Sequence, residues 1–206
     1  MNLTLPKIYP ITDARISRIS HAEQVERLID GGADFIQLRE KYHAPMDFYE
    51  AAKAALEIVR RRNVKIIIND RVDIALALEA DGVHLGQDDL PPAQARKILG
   101  EKAIIGFSTH NLEQVAEAVR MPIDYLAIGP IYATTTKENP DAVVGIEGLK
   151  RVREIIGAFP LVAIGGINFE NYLEVLEAGA DSVAVISSLV AEPNKIAEKM
   201  RNFLRF

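Results

Sequence analysis

Short apolar runs alternate with longer amphipathic runs along the whole chain, and this alternation restricts the fold more than any other feature. The strand candidates are Lys7–Ile11, Phe35–Arg39, Val64–Asn69, Gly82–Leu85, Ala103–Gly106, Tyr125–Gly129, Leu161–Ile164 and Ser182–Ile186. They are short, rich in Ile and Val, and show little polar alternation, as strands buried on both faces do. Helical spacing marks Met46–Arg61, Leu112–Arg120, Glu147–Ile156 and Asn168–Ala178, the last with an Asn cap and a stop before Gly179. Strands alternating with helices at a pitch of about 25 residues predict a parallel sheet. Eight such units closing on themselves make a TIM (β/α)8 barrel, whereas an open doubly wound sheet usually carries fewer units at this length. No Gly-Ser-rich linker or shift in composition divides the chain, so residues 1–206 are expected to form a single TIM-barrel domain.

An internal echo supports the barrel. Asp34, Asp81, Asp124 and Asp181 each stand just before a strand candidate, at intervals that two βα units would occupy. They mark every second strand at its N-terminal end. In a barrel that is the stability face, so a structural role is expected for all four.

Composition removes several function classes. The formal charge is −5 and the pI about 5.5, which gives no global attraction to nucleic acid or anionic membranes. A bound phosphate would need a local cluster of bases and backbone N–H groups. The absence of Cys excludes disulfides, thiol catalysis, iron–sulfur clusters and Cys-ligated zinc. Met1–Pro10 lacks the pattern of a signal peptide, and no apolar stretch reaches the roughly 18 residues of a membrane span. A soluble cytoplasmic protein is expected. The sequence leaves a homo-oligomer open.

The C-terminal strand ends carry the polar residues. Strand 2 runs into Gln37, Arg39 and Lys41, strand 3 into Asn69, Asp70 and Arg71, and strand 4 into His84, Gln87, Asp88 and Asp89. Strand 5 leads to Ser108, Thr109 and His110, strand 6 to Thr134, Thr135, Thr136 and Lys137, strand 7 to Gly165-Gly166, and strand 8 to Ser187-Ser188. In a barrel these ends converge on one rim, where active sites are built.

Three groupings have chemical content. Asp70 and Asp89 follow neighbouring strands about 4.8 Å apart and could share Mg²⁺, a hard cation that favours oxygen ligands. A helix cap for Asp70 and a turn for Asp89 are the alternatives. Arg39, Lys41 and Lys137 put positive charge at the same rim. With a metal they suggest a diphosphate ligand; without one they are solvated surface charge. Gly165-Gly166 and Ser187 stand where many barrels bind phosphate, although a Gly pair can be only a turn. Of the histidines, His21 and His43 look like helix-start or loop residues, and His84 like a hydrogen-bonded strand residue whose ring could face the rim. His110 could act as acid or base or cap the next helix.

Several blocks together resemble the signature of the thiamine phosphate synthase family. They are Tyr9-Pro-Ile-Thr-Asp13, Gln37-Leu-Arg-Glu-Lys41, Ile68-Asn-Asp-Arg71, His84-Leu-Gly-Gln-Asp-Asp-Leu-Pro91 and Gly106-Phe-Ser-Thr-His110. Asp124-Tyr125 with Gly129-Pro-Ile-Tyr132, Thr134-Thr-Thr-Lys137 and Ala163-Ile-Gly-Gly-Ile167 complete the set. The blocks fall in family order over nearly the whole chain. Singly each is weak; together they are specific.

The resemblance implies a TIM barrel that joins hydroxymethylpyrimidine diphosphate to a thiazole phosphate, giving thiamine phosphate and diphosphate. CO₂ also leaves when the thiazole enters as its carboxylate. It implies that Gln37 to Lys41 (Gln37, Leu38, Arg39, Glu40, Lys41) and Asn69 hold the pyrimidine diphosphate, and that Asp70 and Asp89 bind Mg²⁺. Ser108 and Lys137 would complete the diphosphate cradle and, with Arg39, assist the chemical step. Thr134, Thr135 and Thr136 would reach the thiazole phosphate, together with Gly166, Ile186 and Ser187.

The implied reaction suits these groups. Diphosphate leaves as a large anion, the pyrimidine methylene becomes a stabilised cation, and the thiazole nitrogen attacks it. Charge on the departing oxygens needs neutralising, which a metal and bases do without a proton donor or a covalent nucleophile. The long polar segment Tyr132–Val144 is expected to be a lid that excludes water. The rival readings are a thiazole tautomerase-like isomerase using His110 and a non-catalytic binding paralogue on the same fold.

Overall fold

The computed structural model describes residues 3–60, 62, 64–136 and 141–205. Eight parallel strands form a closed barrel in sequence order. They are β1 (Ile8–Thr12), β2 (Phe35–Leu38), β3 (Lys65–Asn69), β4 (Gly82–Leu85), β5 (Ile104–Thr109), β6 (Tyr125–Ile128), β7 (Leu161–Ile164) and β8 (Ser182–Val185). β1 pairs with β8 through Ile8–Val183, Tyr9–Ala184 and Pro10–Val185, which closes the ring.

Helices α1 (Ala14–Ser17) and α2 (His21–Asp30) join β1 to β2, and α3 (Pro45–Val59), α4 (Val72–Ala77), α5 (Pro92–Leu99) and α6 (Leu112–Ala118) follow the next four strands. α7 (Gly145–Ile156), α8 (Tyr172–Glu177), α9 (Ser187–Val190), a short 3₁₀ turn at Pro193–Lys195 and α10 (Ile196–Phe203) complete the outer layer. No helix among the described residues is long and apolar enough to cross a membrane.

The strand alternation sorts side chains into two cores. Tyr9, Ile11, Phe35, Ile67, Tyr125, Ala127, Val162 and Ala184 fill the lumen. Ile36, Leu38, Ile66, Ile68, Val83, Leu85, Ile105 and Leu126 face outward and pack beneath the helices. Because side chains alternate with a period of two, Gln37 lies on the lumen side two residues beyond Phe35, and Asn69 two beyond Ile67. His84 and Ser108 occupy the equivalent positions of β4 and β5. The upper lumen is therefore polar and the lower lumen apolar, on one unbroken alternation.

The aspartates before alternate strands stitch the opposite end. Asp81 Oδ2 accepts from the Ile66 N–H at 2.7 Å, Asp124 Oδ2 from Ile105 at 2.7 Å, and Asp181 Oδ2 from Leu161 at 2.8 Å. Arg96 and Arg153 donate to Asp124 and Asp181 at 2.7 and 2.6 Å. Asp34 joins the same end through its carbonyl, which accepts from the Lys65 N–H at 2.9 Å.

Two expected boundaries move by three residues or more, and several others by one or two. β5 continues to Thr109, so Ser108 and Thr109 belong to the strand instead of following it. The helix expected over Asn168–Ala178 begins only at Tyr172. Asn168 instead builds a turn: its N–H donates to Asn171 Oδ1 and its own Oδ1 accepts from Glu170, both at 2.8 Å. An Asn whose side chain satisfies nearby backbone competes with helix in this way.

Candidate active site

A cavity of about 900 Å³ opens at the C-terminal ends of the strands. Gln37, Arg39, Lys41, Asn69, Asp70, Asp89 and Ser108 line one side, and Thr134, Thr135, Thr136, Gly166, Ile186 and Ser187 line the other. Nearly all the residues singled out in the sequence thus meet in one cavity. Lys137 lies outside the described residues.

Leu38 and Glu40 do not bring their side chains to it. Leu38 is an outward position of β2, fully buried beneath the helices. The Glu40 carboxylate turns away and accepts from the Tyr42 N–H at 2.9 Å, while His43 Nδ1 lies 2.7 Å and His21 Nε2 3.4 Å from it. Burial alone would raise the Glu40 carboxyl, but these partners outweigh it and hold it at about 2. The Gln37–Lys41 run alternates, so only its first, third and fifth side chains reach the rim.

Asp70 and Asp89 interact through their side chains. Burial and the neighbouring Asp89 carboxylate push the Asp70 carboxyl up to about 6, against the pull of the Lys41 ammonium bonded to it. Asp70 adopts a left-handed backbone with φ of 62°, a conformation that costs a non-glycine residue free energy although Asp tolerates it better than most. It is not a helix cap: Arg71 takes the cap position of α4. Asp89 does serve a turn, with its Oδ2 accepting from the Gly86 N–H at 2.7 Å.

Two neighbouring carboxylates repel unless a cation or proton lies between them. Among the described residues no group of three or more His, Cys, Asp or Glu side chains could hold a metal. Two carboxylate ligands with water and phosphate oxygens completing the shell is the ordinary arrangement for Mg²⁺, so this pair fits that ion.

Asn69 points the same way. It is 6% exposed, and its buried Nδ2 has no hydrogen-bond partner among the described residues. A buried donor left unpaired costs about 1–3 kcal/mol, which a ligand acceptor would relieve.

The sequence assigns no role to Asp13, Tyr9 or Tyr125, which the structure places beside this site. Asp13 Oδ2 accepts from Arg39 Nη1 at 2.6 Å. Tyr9 and Tyr125 lie inside apolar strands, where only their inward register distinguishes them from core. His110 is not the cap of α6, since Asn111 holds that position and accepts from the Gln114 N–H at 2.9 Å. Its Nδ1 instead donates to the Gly129 carbonyl at 2.7 Å and lies 3.4 Å from Asp141. His84 sits in the lumen wall with both ring nitrogens engaged, and burial pushes it down to about 4.

Gly165 and Gly166 have φ of 102° and 66°. A Cβ on Gly166 would come within 2.6 Å of the Ala133 carbonyl oxygen. A Cβ on Gly165 would come within 2.5 Å of Pro130 Cα, so both glycines are required by the turn and its close approach to Pro130–Ala133, independently of any ligand. On either side of residues 137–140, which lie outside the described residues, the Tyr132 N–H donates to Gly165 O at 3.0 Å and the Val144 N–H to Pro130 O at 2.8 Å.

The family model for thiamine monophosphate synthase matches residues 8–189. A thiamine-phosphate synthase from Chloroflexus aurantiacus is 48% identical over 186 residues, covering 90% of this chain and 85% of that protein. One from Clostridium novyi is 46% identical over 185 residues, 89% and 90% of the respective chains. The solved structure of thiamine phosphate pyrophosphorylase from Pyrococcus furiosus superposes with a TM-score of 0.86 at 37% identity, covering 97% of this chain and 94% of that one.

Proposed function

Because this chain belongs to the thiamine monophosphate synthase family, we propose that its rim cavity joins hydroxymethylpyrimidine diphosphate to a thiazole phosphate. The activity is that of a thiamine-phosphate synthase, a transferase of thiamine biosynthesis. The meeting of Asp70, Asp89, Arg39 and Lys41 at one cavity supports the placement of the diphosphate.

In this reading Gln37 and Asn69 bind the pyrimidine, with the unpaired Asn69 Nδ2 donating to it. Arg39, Lys41 and Ser108 neutralise and orient the diphosphate, and Lys137 joins them by its place in the family pattern. Asp70 and Asp89 would hold Mg²⁺, whose charge when bound favours departure of the diphosphate oxygens. Thr134, Thr135, Thr136, Gly166, Ile186 and Ser187 receive the thiazole phosphate on the opposite wall.

The step itself breaks the methylene carbon–oxygen bond, and the thiazole nitrogen then bonds to that carbon. The protein needs no covalent nucleophile. It excludes water, holds the two heterocycles in line, and places donors where negative charge develops. The lid role expected of Tyr132–Val144 falls partly on residues 137–140, outside the described residues; Thr134, Thr135 and Thr136 from this stretch line the cavity. A cytoplasmic location agrees with this role.

The test supplies purified protein with both phosphorylated heterocycles and Mg²⁺ and follows thiamine phosphate by chromatography. Product is expected, with loss of turnover in EDTA and recovery on adding Mg²⁺. Absence of product overturns the substrate assignment, and undiminished turnover without metal overturns the metal assignment.

A further inference from the structure

A chain of buried side-chain hydrogen bonds crosses the lumen directly beneath the cavity. Gln37 Nε2 donates to Tyr9 Oη at 3.0 Å, and Tyr9 Oη lies 3.0 Å from Tyr125 Oη. Tyr125 Oη lies 2.9 Å from His84 Nδ1, and His84 Nε2 lies 2.8 Å from Ser108 Oγ. The chain passes from β2 through β1, β6 and β4 to β5 and links one proposed substrate contact to another. All three middle members are buried: Tyr9 is 1%, Tyr125 0% and His84 8% exposed.

The chain has a sense. A neutral imidazole carries one donor and one acceptor, and each hydroxyl here donates once and accepts once. With Gln37 Nε2 donating, the Tyr9 hydroxyl donates to Tyr125 and the Tyr125 hydroxyl donates to His84 Nδ1. His84 then carries its proton on Nε2 and donates to Ser108 Oγ. The Ser108 proton is left for the cavity. Diphosphate oxygens only accept, so this is the sense such a ligand requires. The reverse sense, started by the Gln37 carbonyl oxygen, would turn the Ser108 proton toward His84.

The surrounding backbone makes room for this arrangement. A Cβ on Gly106 would lie 2.0 Å from Tyr125 Cζ and 2.5 Å from His84 Nδ1. The Tyr125 and His84 rings stack with centroids 5.5 Å apart.

We propose that Tyr9, Tyr125 and His84 are positioning residues that hold the Ser108 hydroxyl as a donor toward the diphosphate, in a sense set by Gln37. This rests on the diphosphate placement given above. The consequence is a link between the two halves of one substrate. A ligand amine accepted by the Gln37 carbonyl oxygen locks the carboxamide with Nε2 on Tyr9, and the lock is transmitted to Ser108.

The test is a double-mutant cycle of Tyr125→Phe and Ser108→Ala, with melting temperatures for each variant. The readouts are single-turnover product formation and calorimetry with Mg²⁺-pyrophosphate and, separately, with thiazole phosphate. Tyr125→Phe keeps the ring stack but leaves His84 Nδ1 without its donor. It should lower the single-turnover rate and the pyrophosphate affinity by about tenfold or more, as loss of one hydrogen bond to a charged ligand does. Thiazole phosphate affinity should hold. Adding Ser108→Ala should then cost less than about twofold further, because both changes remove one interaction.

Multiplying effects, or a Tyr125→Phe variant that behaves as wild type, overturn the proposal. If Tyr125→Phe does not fold, His84→Leu in the same cycle, which removes the donor to Ser108 Oγ itself, decides between the same outcomes. A wild-type protein that binds pyrophosphate but makes no thiamine phosphate overturns the substrate assignment alone, and the pyrophosphate arm still decides the relay.

Discussion

The Arg39 guanidinium is anchored to a carboxylate that is itself pinned by the backbone. Asp13 Oδ2 takes Arg39 Nη1 at 2.6 Å, while Asp13 Oδ1 accepts from the Ile16 N–H at 3.0 Å and so starts α1. The Arg39 and Asp13 side chains are only 14% and 6% exposed. Asn is as good a helix cap as Asp, so Asp13→Asn should spare α1 and strand the Arg39 charge. A stability loss of about 1–3 kcal/mol in urea unfolding is expected, reduced from the fully buried case by the residual exposure. An unchanged midpoint would show that Arg39 needs no partner.

Asp70→Asn and Asp89→Asn should each weaken Mg²⁺-pyrophosphate binding far more than thiazole phosphate binding. The amide keeps the shape and removes the charge that a hard cation requires. Calorimetry on each ligand separates the outcomes, and equal losses for both would indicate general damage to the rim.

The buried His84 makes the apo protein sensitive to acid. Its folded value of about 4 lies below the unfolded value, so its contribution is fully present above about pH 6.5 and is lost as the pH falls toward 4. The loss reaches roughly 3 kcal/mol at about 1.4 kcal/mol per unit. Asp70 acts in the opposite sense, because its raised carboxyl takes up a proton more readily folded than unfolded. The difference between wild type and His84→Gln, melted from about pH 7.5 to about pH 4.5 across that window, isolates the imidazole. A His84→Gln curve parallel to wild type would contradict this account.

Gly166→Ala should lower the melting temperature by roughly 3–6 °C, since the backbone is left-handed and the Cβ meets the Ala133 carbonyl. The thiazole phosphate KM should rise with it, as Tyr132–Ala133 is displaced. A raised KM at an unchanged melting temperature would instead favour direct approach of the phosphate to the Gly166 backbone.

Lys137→Ala should slow single-turnover carbon–oxygen cleavage by about a hundredfold, the usual scale for removing one electrostatic stabiliser. Quenched single-turnover time courses would measure it. A normal rate would return Lys137 to the ordinary surface.

The barrel is legible because buried parallel strands write themselves as short Ile/Val runs, and the rim because each run ends in polar residues. The Asp70–Asp89 pair can be placed from strand adjacency alone. What is not legible depends on register. Leu38 and Glu40 sit in the same run as Gln37 and Arg39, and only the period of two sends their side chains elsewhere. Tyr9 and Tyr125 look like core residues in sequence, since nothing local announces that their hydroxyls meet across the lumen 116 positions apart. Asn168 reads as a cap because a cap and an Asn turn use the same side chain.

The aspartate stitches at the base have a consequence for how this chain tolerates being cut. Asp81 ties β4 to β3, Asp124 ties β6 to β5, and Asp181 ties β8 to β7. New termini opened between these couples, in the connection from β4 to β5 or from β6 to β7, would leave each stitched couple contiguous. Termini opened within a couple would turn a local tie into one that spans the permuted chain. The lumen relay obeys no such grouping, for it draws on β1, β2, β4, β5 and β6. A permuted barrel could therefore keep its foundation and still show, by the state of Ser108, whether its couples had come together in true alignment.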